Sequence, residues 1–359
     1  MSKSDHIFHH PNEFVLESGE KLSGFQLKYT TLGRLNKERS NIIWICHALT
    51  GNSDFTDWWS GSFRDGSLPT EQVGAFDPNE YFIICANSLG GCYGSTGPLS
   101  LNPDIGKPFY HSFPLLTNRD IIRAFDLLRL HLEFEKIHTL VGGSLGGQQV
   151  LEWAIECPEV FQHIIPVACN AKHSPWGIAI NEAQRMAIAT DPTWKENDAR
   201  AGSEGIKAAR AMGMISFRTY KTYDQTQAEK TNEKLDDFRA ATYQLYQGEK
   251  LANRFNAFSY WTLTKAMDNH NVGRGKESIA AALGRIKART LVIGIDTDIL
   301  FPTPEQKLLA EHIPHARYET ISSLYGHDGF LVEFDQFNQV VKKFLAASEK
   351  AHLHSTEKN

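Results

Sequence analysis

The sequence predicts an α/β fold, a mostly parallel sheet with helices on both faces and a helical insertion over one end of the sheet. Three observations predict it. Short apolar runs alternate with segments of helical periodicity. That alternation stops between about residues 170 and 288, where only helical patterns occur. One apolar run, 137–141, passes through a glycine-rich turn straight into a helical segment.

The apolar runs come first. NIIWIC (41–46), YFIICA (81–86), IHTLV (137–141), HIIPV (163–167) and TLVIGI (290–295) are each short and nearly continuous. Most are bounded by Gly, Asn, Asp or Pro. Strands covered on both faces read this way, because neither side alternates with polar residues. Between them, residues 118–132 place Ile121, Ile122, Phe125, Leu128 and Leu132 at helical spacing, with Asn118 or Asp120 near the start. Residues 145–155 form a second helix directly after a strand. Within the insertion, helices are expected over 177–190, 205–218, 233–255 and 258–267. The sheet resumes at Thr290, and a last helix over 334–347 packs back on the core. The expected organisation is a core of 10–169, a lid of 170–288, a second core part of 289–347 and a polar, frayed tail of 348–359.

Composition narrows the function. Of 359 residues, 41% are hydrophobic and 22% charged, the balance of an ordinary soluble protein. The net charge is −5 and there is no Lys/Arg tract, which argues against a nucleic-acid partner. No apolar run approaches the roughly 20 residues that span a bilayer. The polar N-terminus has no signal-peptide core. Five cysteines sit at spacings that match no zinc pattern, so neither a metal nor a disulfide framework is expected, and a reducing cytoplasm is the simplest setting.

The turn after residue 141 carries the chemistry. Gly142-Gly143-Ser144-Leu145-Gly146-Gly147 contains G-x-S-x-G between a strand and a helix. That context is the nucleophile elbow of an α/β-hydrolase fold, in which a sharp turn exposes the serine at the top of the sheet. The helix N-terminus directs free N–H groups at the serine oxygen, and the Leu145 N–H is a candidate oxyanion donor. A phosphate-binding turn is excluded, since the loop lacks lysine and does not fit G-x-x-x-x-G-K-[ST].

A serine hydroxyl needs a general base, and the base needs an orienting carboxylate. On this fold the order is Ser, then Asp or Glu, then His. Asp298 lies just past the strand at 290–295, in DTDILFP (296–302), with Asp296 as the nearby competitor. Asp298 is favoured because it lies further into the loop, and one of the two is expected simply to cap the following helix. His327, in SLYGHDGF (323–330), fits the base; Gly326 and Gly329 would let a short loop carry its ring over Ser144. His111, His163 and His270 lack that placement. A second oxyanion donor should come from the loop after an early strand, and the Leu49 N–H of HALTG (47–51) is the candidate. A plain strand-ending turn is the equal alternative there.

Together these blocks resemble the homoserine O-acetyltransferase family. The resemblance is carried by HALTG (47–51), NSLGGCYGSTGP (87–98), GGSLGGQQVLEWA (142–154), NEAQRMAI (181–188), GIKAARAMGMISFR (205–218), DTDILFP (296–302) and GHDGFLVE (326–333). It runs from about residue 10 to 347. It implies the triad Ser144, Asp298 and His327, with oxyanion donors Leu49 and Leu145. It also implies that Arg210 and Asp328 hold the amino-acid substrate. By residue type alone, Arg210 reads as a solvated helix residue and Asp328 as a turn acceptor. A zwitterion gives both a use, since a guanidinium fork suits a carboxylate and a carboxylate suits an ammonium. Two positions depart from the family pattern: Phe217 stands where tyrosine is frequent, and Leu145 where methionine is common.

The activity so implied is acetyl transfer from acetyl-CoA to L-homoserine through an acyl-Ser144 intermediate, a step of methionine biosynthesis, with no cofactor and with the lid as a homodimer surface. The rivals are a succinyl-CoA-dependent or serine-accepting transferase, an esterase using water, and a binding protein on the same scaffold. The intact triad speaks against the last.

Overall fold

A computed structural model describes residues 3–63 and 74–356. Its strands are β1 (Ser4–His10), β2 (Phe14–Val15), β3 (Lys21–Leu22), β4 (Phe25–Leu32), β5 (Ile42–Cys46), β6 (Phe82–Ala86), β7 (Leu101–Asn102), β8 (Lys107–Pro108), β9 (Ile137–Gly143), β10 (Phe161–Val167), β11 (Arg289–Ile295) and β12 (Ala316–Ile321). Eight of them form one sheet in the order β1-β4-β6-β5-β9-β10-β11-β12. From β6 to β12 every pairing is parallel. The β1–β4 and β4–β6 pairs are antiparallel.

The five strand runs named from sequence are β5, β6, β9, β10 and β11. All five residues of β5 are fully buried. They alternate between two cores: Ile42, Trp44 and Cys46 face one, Ile43 and Ile45 the other. This explains why the run shows no polar alternation. β1 and β4 were not foreseen. β1 lies at the sheet edge and is mostly exposed, so its residues are polar and carry no buried-strand signal.

The helices are α1 (Phe55–Trp58), α2 (Asn118–His131), α3 (Leu145–Glu156), α4 (Pro175–Ala189), α5 (Ser203–Phe217), α6 (Tyr220–Gln227), α7 (Arg239–Ala252), α8 (Ala257–Asp268), α9 (Ile279–Leu283), α10 (Thr303–His312), α11 (Gly329–Val332) and α12 (Phe334–Thr356). The start of α2 is set by Thr117: its Oγ1 accepts from the Asp120 N–H, and the Asp120 carboxylate accepts from the Thr117 N–H. The reciprocal pair satisfies two orphan donors at once. α2, α3 and α10 cover one face of the sheet, and α12 covers the other with Phe337, Val341 and Phe344.

Between β10 and β11 the chain makes six helices, α4 to α9, and no sheet strand. α5 packs against both α4 and α7. The expected helix over 233–255 starts only at Arg239, after Asp237 adopts a φ of 55°. The tail also differs from expectation. α12 runs on to Thr356, and 357–359 lie outside the described residues. Residues 348–356 include Glu, Lys, Ala and Leu, good helix formers, and extending a packed helix needs no new nucleus.

Candidate active site

Ser144 sits between β9 and α3 with φ 58° and ψ −124°. A non-glycine residue there is strained, and the strain persists only because both neighbouring elements are held in place. The Ser144 N–H donates to the Val167 carbonyl at 2.9 Å, and its own carbonyl accepts from Gln148 N–H. Glycine is required on either side of it. A Cβ on Gly142 would come within 2.6 Å of the Gly146 carbonyl oxygen. A Cβ on Gly146 would come within 2.1 Å of the Cys46 carbonyl oxygen. The elbow therefore packs directly on the end of β5.

His327 Nε2 lies 2.9 Å from Ser144 Oγ. Its Nδ1 lies 2.7 Å from Asp298 Oδ2. The other carboxylate oxygen of Asp298 accepts from the N–H groups of Leu300 and Phe301 at 2.8 and 2.9 Å. Asp298 thus caps the turn and reaches the imidazole at the same time. Asp296, the sequence competitor, is turned elsewhere: it accepts from Ser322 Oγ and the Ser323 N–H. His327 stands on the single turn Gly326–Asp328, and Gly326 has φ 62°. Ser144, Asp298 and His327 are all at most 5% exposed. Burial works against a charged His327, but the Asp298 charge and hydrogen bond and the nearby Asp328 outweigh it, and the net shift is upward from 6.5. The three histidines set aside from sequence serve elsewhere: His111, His163 and His270 bond the carbonyls of Trp194, His138 and Asn170.

The serine opens into a pocket of about 600 Å³, part of it continuous with solvent. Leu49 lines it at the sheet end, beside Ser144 and His327. Leu145 is the first residue of α3, so its N–H has no acceptor within the helix. The facing wall comes from the insertion, with Asn181, Arg210 and Phe217. Asp328 lines the same pocket. The structure therefore brings together the triad, Leu49, Arg210 and Asp328, from segments far apart in sequence.

Two features of the facing wall were not read from sequence. Arg218 Nε lies 2.8 Å from Asp328 Oδ2. The contact is close but its N–H is not aimed at the oxygen, so it is an ion pair without an aligned hydrogen bond. Arg218 also lies over the Tyr325 ring. The residue stood in the segment 205–218, but nothing in its spacing announced a partner 110 positions away. Arg210 has no such partner: among the described residues its only close contact of this kind is the Phe217 ring, 5.3 Å from its guanidinium carbon. Burial lowers the Arg210 pKa, and the Asp328 charge opposes that. Among the described residues no group of three or more His, Cys, Asp or Glu is placed to hold a metal ion.

Chemically, the arrangement activates a serine hydroxyl toward an acyl carbon, next to a half-buried cation able to receive an anion. The comparisons with known proteins bear on which one. A model described as alpha/beta hydrolase fold matches residues 41–334. The chain is 51% identical over 344 residues to a homoserine O-acetyltransferase of Cyclobacterium marinum, covering 96% of each. It resembles the crystal structure of homoserine O-acetyltransferase from Bacillus anthracis with a TM-score of 0.88 at 25% identity, covering 96% of this chain and 98% of that one. Esterase E22, at 22% identity and a TM-score of 0.84, shares the fold over 96% of this chain and all of its own.

Proposed function

The chain belongs to the homoserine O-acetyltransferase family of the α/β-hydrolase fold, and from that premise we propose that it moves an acetyl group from acetyl-CoA to the side-chain hydroxyl of L-homoserine through an acyl-Ser144 intermediate. The observation that carries this reading is the hydrogen-bonded line Asp298–His327–Ser144 opening into one pocket with a half-buried Arg210 that has no ion-pair partner among the described residues.

His327 takes the Ser144 proton as Oγ attacks the thioester carbon. The oxyanion rests on the Leu49 and Leu145 N–H groups. The C–S bond breaks and the thiolate leaves with the proton from His327. Homoserine then enters, its carboxylate on Arg210 and its ammonium on Asp328. Arg218, ion-paired with Asp328 at 2.8 Å, holds that carboxylate in the pocket wall before the amine arrives. His327 deprotonates the homoserine hydroxyl, the new ester bond forms, and the acyl–Ser144 bond breaks as the proton returns to Oγ. The insertion narrows access so that transfer outruns hydrolysis. No cofactor takes part.

The lid helices expose Ile215, Tyr220, Leu245 and Tyr246, which supports a homodimer formed through this surface. Sedimentation equilibrium at micromolar concentration should give twice the chain mass. The described cysteines are all free, in keeping with a cytoplasmic setting.

The deciding experiment offers acetyl-CoA or succinyl-CoA, each with homoserine, serine or water, and follows free thiol. Release that needs both acetyl-CoA and homoserine is expected. Release indifferent to the amino acid would make the protein a hydrolase, and a preference for succinyl-CoA or serine would redirect the substrate within the same chemistry.

A further inference from the structure

The loop 47–53 that carries Leu49 is latched to its surroundings at three points. Ser53 N–H donates to Asn87 Oδ1 at 2.6 Å. Arg254, from the lid, donates to the Thr50 carbonyl at 2.7 Å and to Tyr93 Oη at 2.8 Å. The third latch is His47, only 2% exposed. Its Nδ1 lies 2.8 Å from the Ala48 carbonyl oxygen. Its Nε2 lies 2.9 Å from the Ser88 backbone nitrogen, which donates to it.

These two partners determine the tautomer. A carbonyl is only an acceptor, so Nδ1 carries the hydrogen. Ser88 N–H is only a donor, so Nε2 keeps its lone pair. A charged imidazolium would set two N–H groups against each other at Nε2. Burial, separately, lowers the His47 pKa to about 4, against the opposing effect of the Ala48 bond.

We infer that His47 is a positioning residue for acyl transfer, whose ring holds the Ala48 carbonyl and thereby turns the Leu49 N–H toward the oxyanion formed on Ser144. The peptide geometry carries the step. No peptide bond of the described residues is cis. In a trans peptide the C=O and the following N–H point in opposite directions. The Ala48 carbonyl is held from one side by His47 Nδ1 and by Gly51 N–H at 2.8 Å. The Leu49 N–H of the same peptide must therefore point away from His47. Ala48, Leu49 and Thr50 all line the pocket with Ser144. This also gives a use to the segment 87–98, since Asn87 and Ser88 at the end of β6 supply two of the latches.

The inference rests on the reading of Ser144 as the acyl carrier. Its test uses p-nitrophenyl acetate, which acylates Ser144 without thioester or amino acid, and a trifluoromethyl ketone, which adds to Ser144 as an oxyanion. For His47→Leu, the acylation rate and the ketone affinity should both fall about 10- to 100-fold, less than the loss of a donor outright, with KM for the ester little changed. His47→Asn, whose amide nitrogen stands near the position of Nδ1, should regain part of both. In the unmodified protein, nitrogen NMR should find the His47 hydrogen on Nδ1 and the ring neutral from pH 5 to 8; the resonance is assigned by its loss in His47→Asn. If His47→Leu does not fold, the other two measurements decide. Ketone affinity unchanged in His47→Leu, a hydrogen on Nε2, or equal losses of ketone affinity and KM would each overturn the inference. A wild-type protein that takes acetyl from the ester but passes none to homoserine would instead sink the acceptor reading and leave the His47 comparison standing.

Discussion

The two walls of the pocket are built differently. On the sheet side, every group of the triad is engaged before any substrate arrives: Ser144 with His327, His327 with Asp298, and Asp298 with two backbone N–H groups. On the lid side, Arg210 is a half-buried cation whose nearest partner among the described residues is an aromatic ring. Burying a charge without a counter-ion costs free energy, and such a site is stabilised when an anion enters it. The difference teaches a division of labour. On the proposed reading, the sheet wall is the acylating device and the lid wall selects what receives the acyl group.

Substitutions on the two walls should therefore fail in different half-reactions. The largest effect is expected for Ser144→Ala, which removes the acyl carrier: thiol release from acetyl-CoA should drop by about 10⁴-fold or more. Retained release would mean that acyl transfer bypasses the sheet wall. Asp298→Asn comes next, with a fall in acylation of about 10⁴-fold from the misoriented imidazole. It also carries a pH signature. His327 acts as a base only when neutral, and Asp298 holds its pKa above 6.5. Activity should thus be lost as pH falls through a value above 6.5. With the Asp298 charge gone, burial is opposed only by the smaller effect of Asp328, and that acidic limb should move to lower pH, as a pH–rate profile of acylation would reveal.

Arg210→Leu tests the other wall. The homoserine carboxylate loses a charged hydrogen-bond partner, worth about 1.5–3 kcal/mol, so kcat/KM for homoserine should fall about 10- to 100-fold. Acetyl-Ser144 formation, followed as a burst of thiol, should stay within about twofold. A burst lost together with homoserine turnover would erase the distinction between the walls. The smallest effect belongs to Phe217→Tyr. It adds a hydroxyl to a ring whose centroid lies 5.3 Å from the Arg210 guanidinium carbon and 6.0 Å from the His327 ring centroid. A neutral hydrogen bond contributes about 0.5–1.5 kcal/mol, so KM for homoserine should shift by no more than about tenfold, with kcat for acylation unmoved.

Legibility divided along the same line. Ser144 and its elbow could be read locally, because the glycines, the strand and the helix that shape it are adjacent in sequence. The strands around it were legible because burial on both faces leaves continuous apolar runs. Local reasoning favours Asp298 over Asp296 without forcing the choice, since both follow β11 and only the path of the loop decides which carboxylate meets the ring. Arg210 and Asp328 read as ordinary surface residues until a resemblance gave them a use. The Arg218–Asp328 pair and the two-sided grip of His47 left no local trace.

What the sequence determined by itself is the set of elements whose cause is local: the parallel core strands, the helices that follow them, and a serine on a strained glycine-flanked turn with an acid and a base following in order. Tertiary structure alone decided the partners. It placed β1 and β4 antiparallel at the sheet edge, turned Asp298 rather than Asp296 to His327, and set Arg210 across the pocket from Ser144 against an aromatic ring. The physical reason is range. Propensity, capping and periodicity act over a few residues, whereas an ion pair or a hydrogen bond across a pocket joins side chains whose separation along the chain carries no record of the contact.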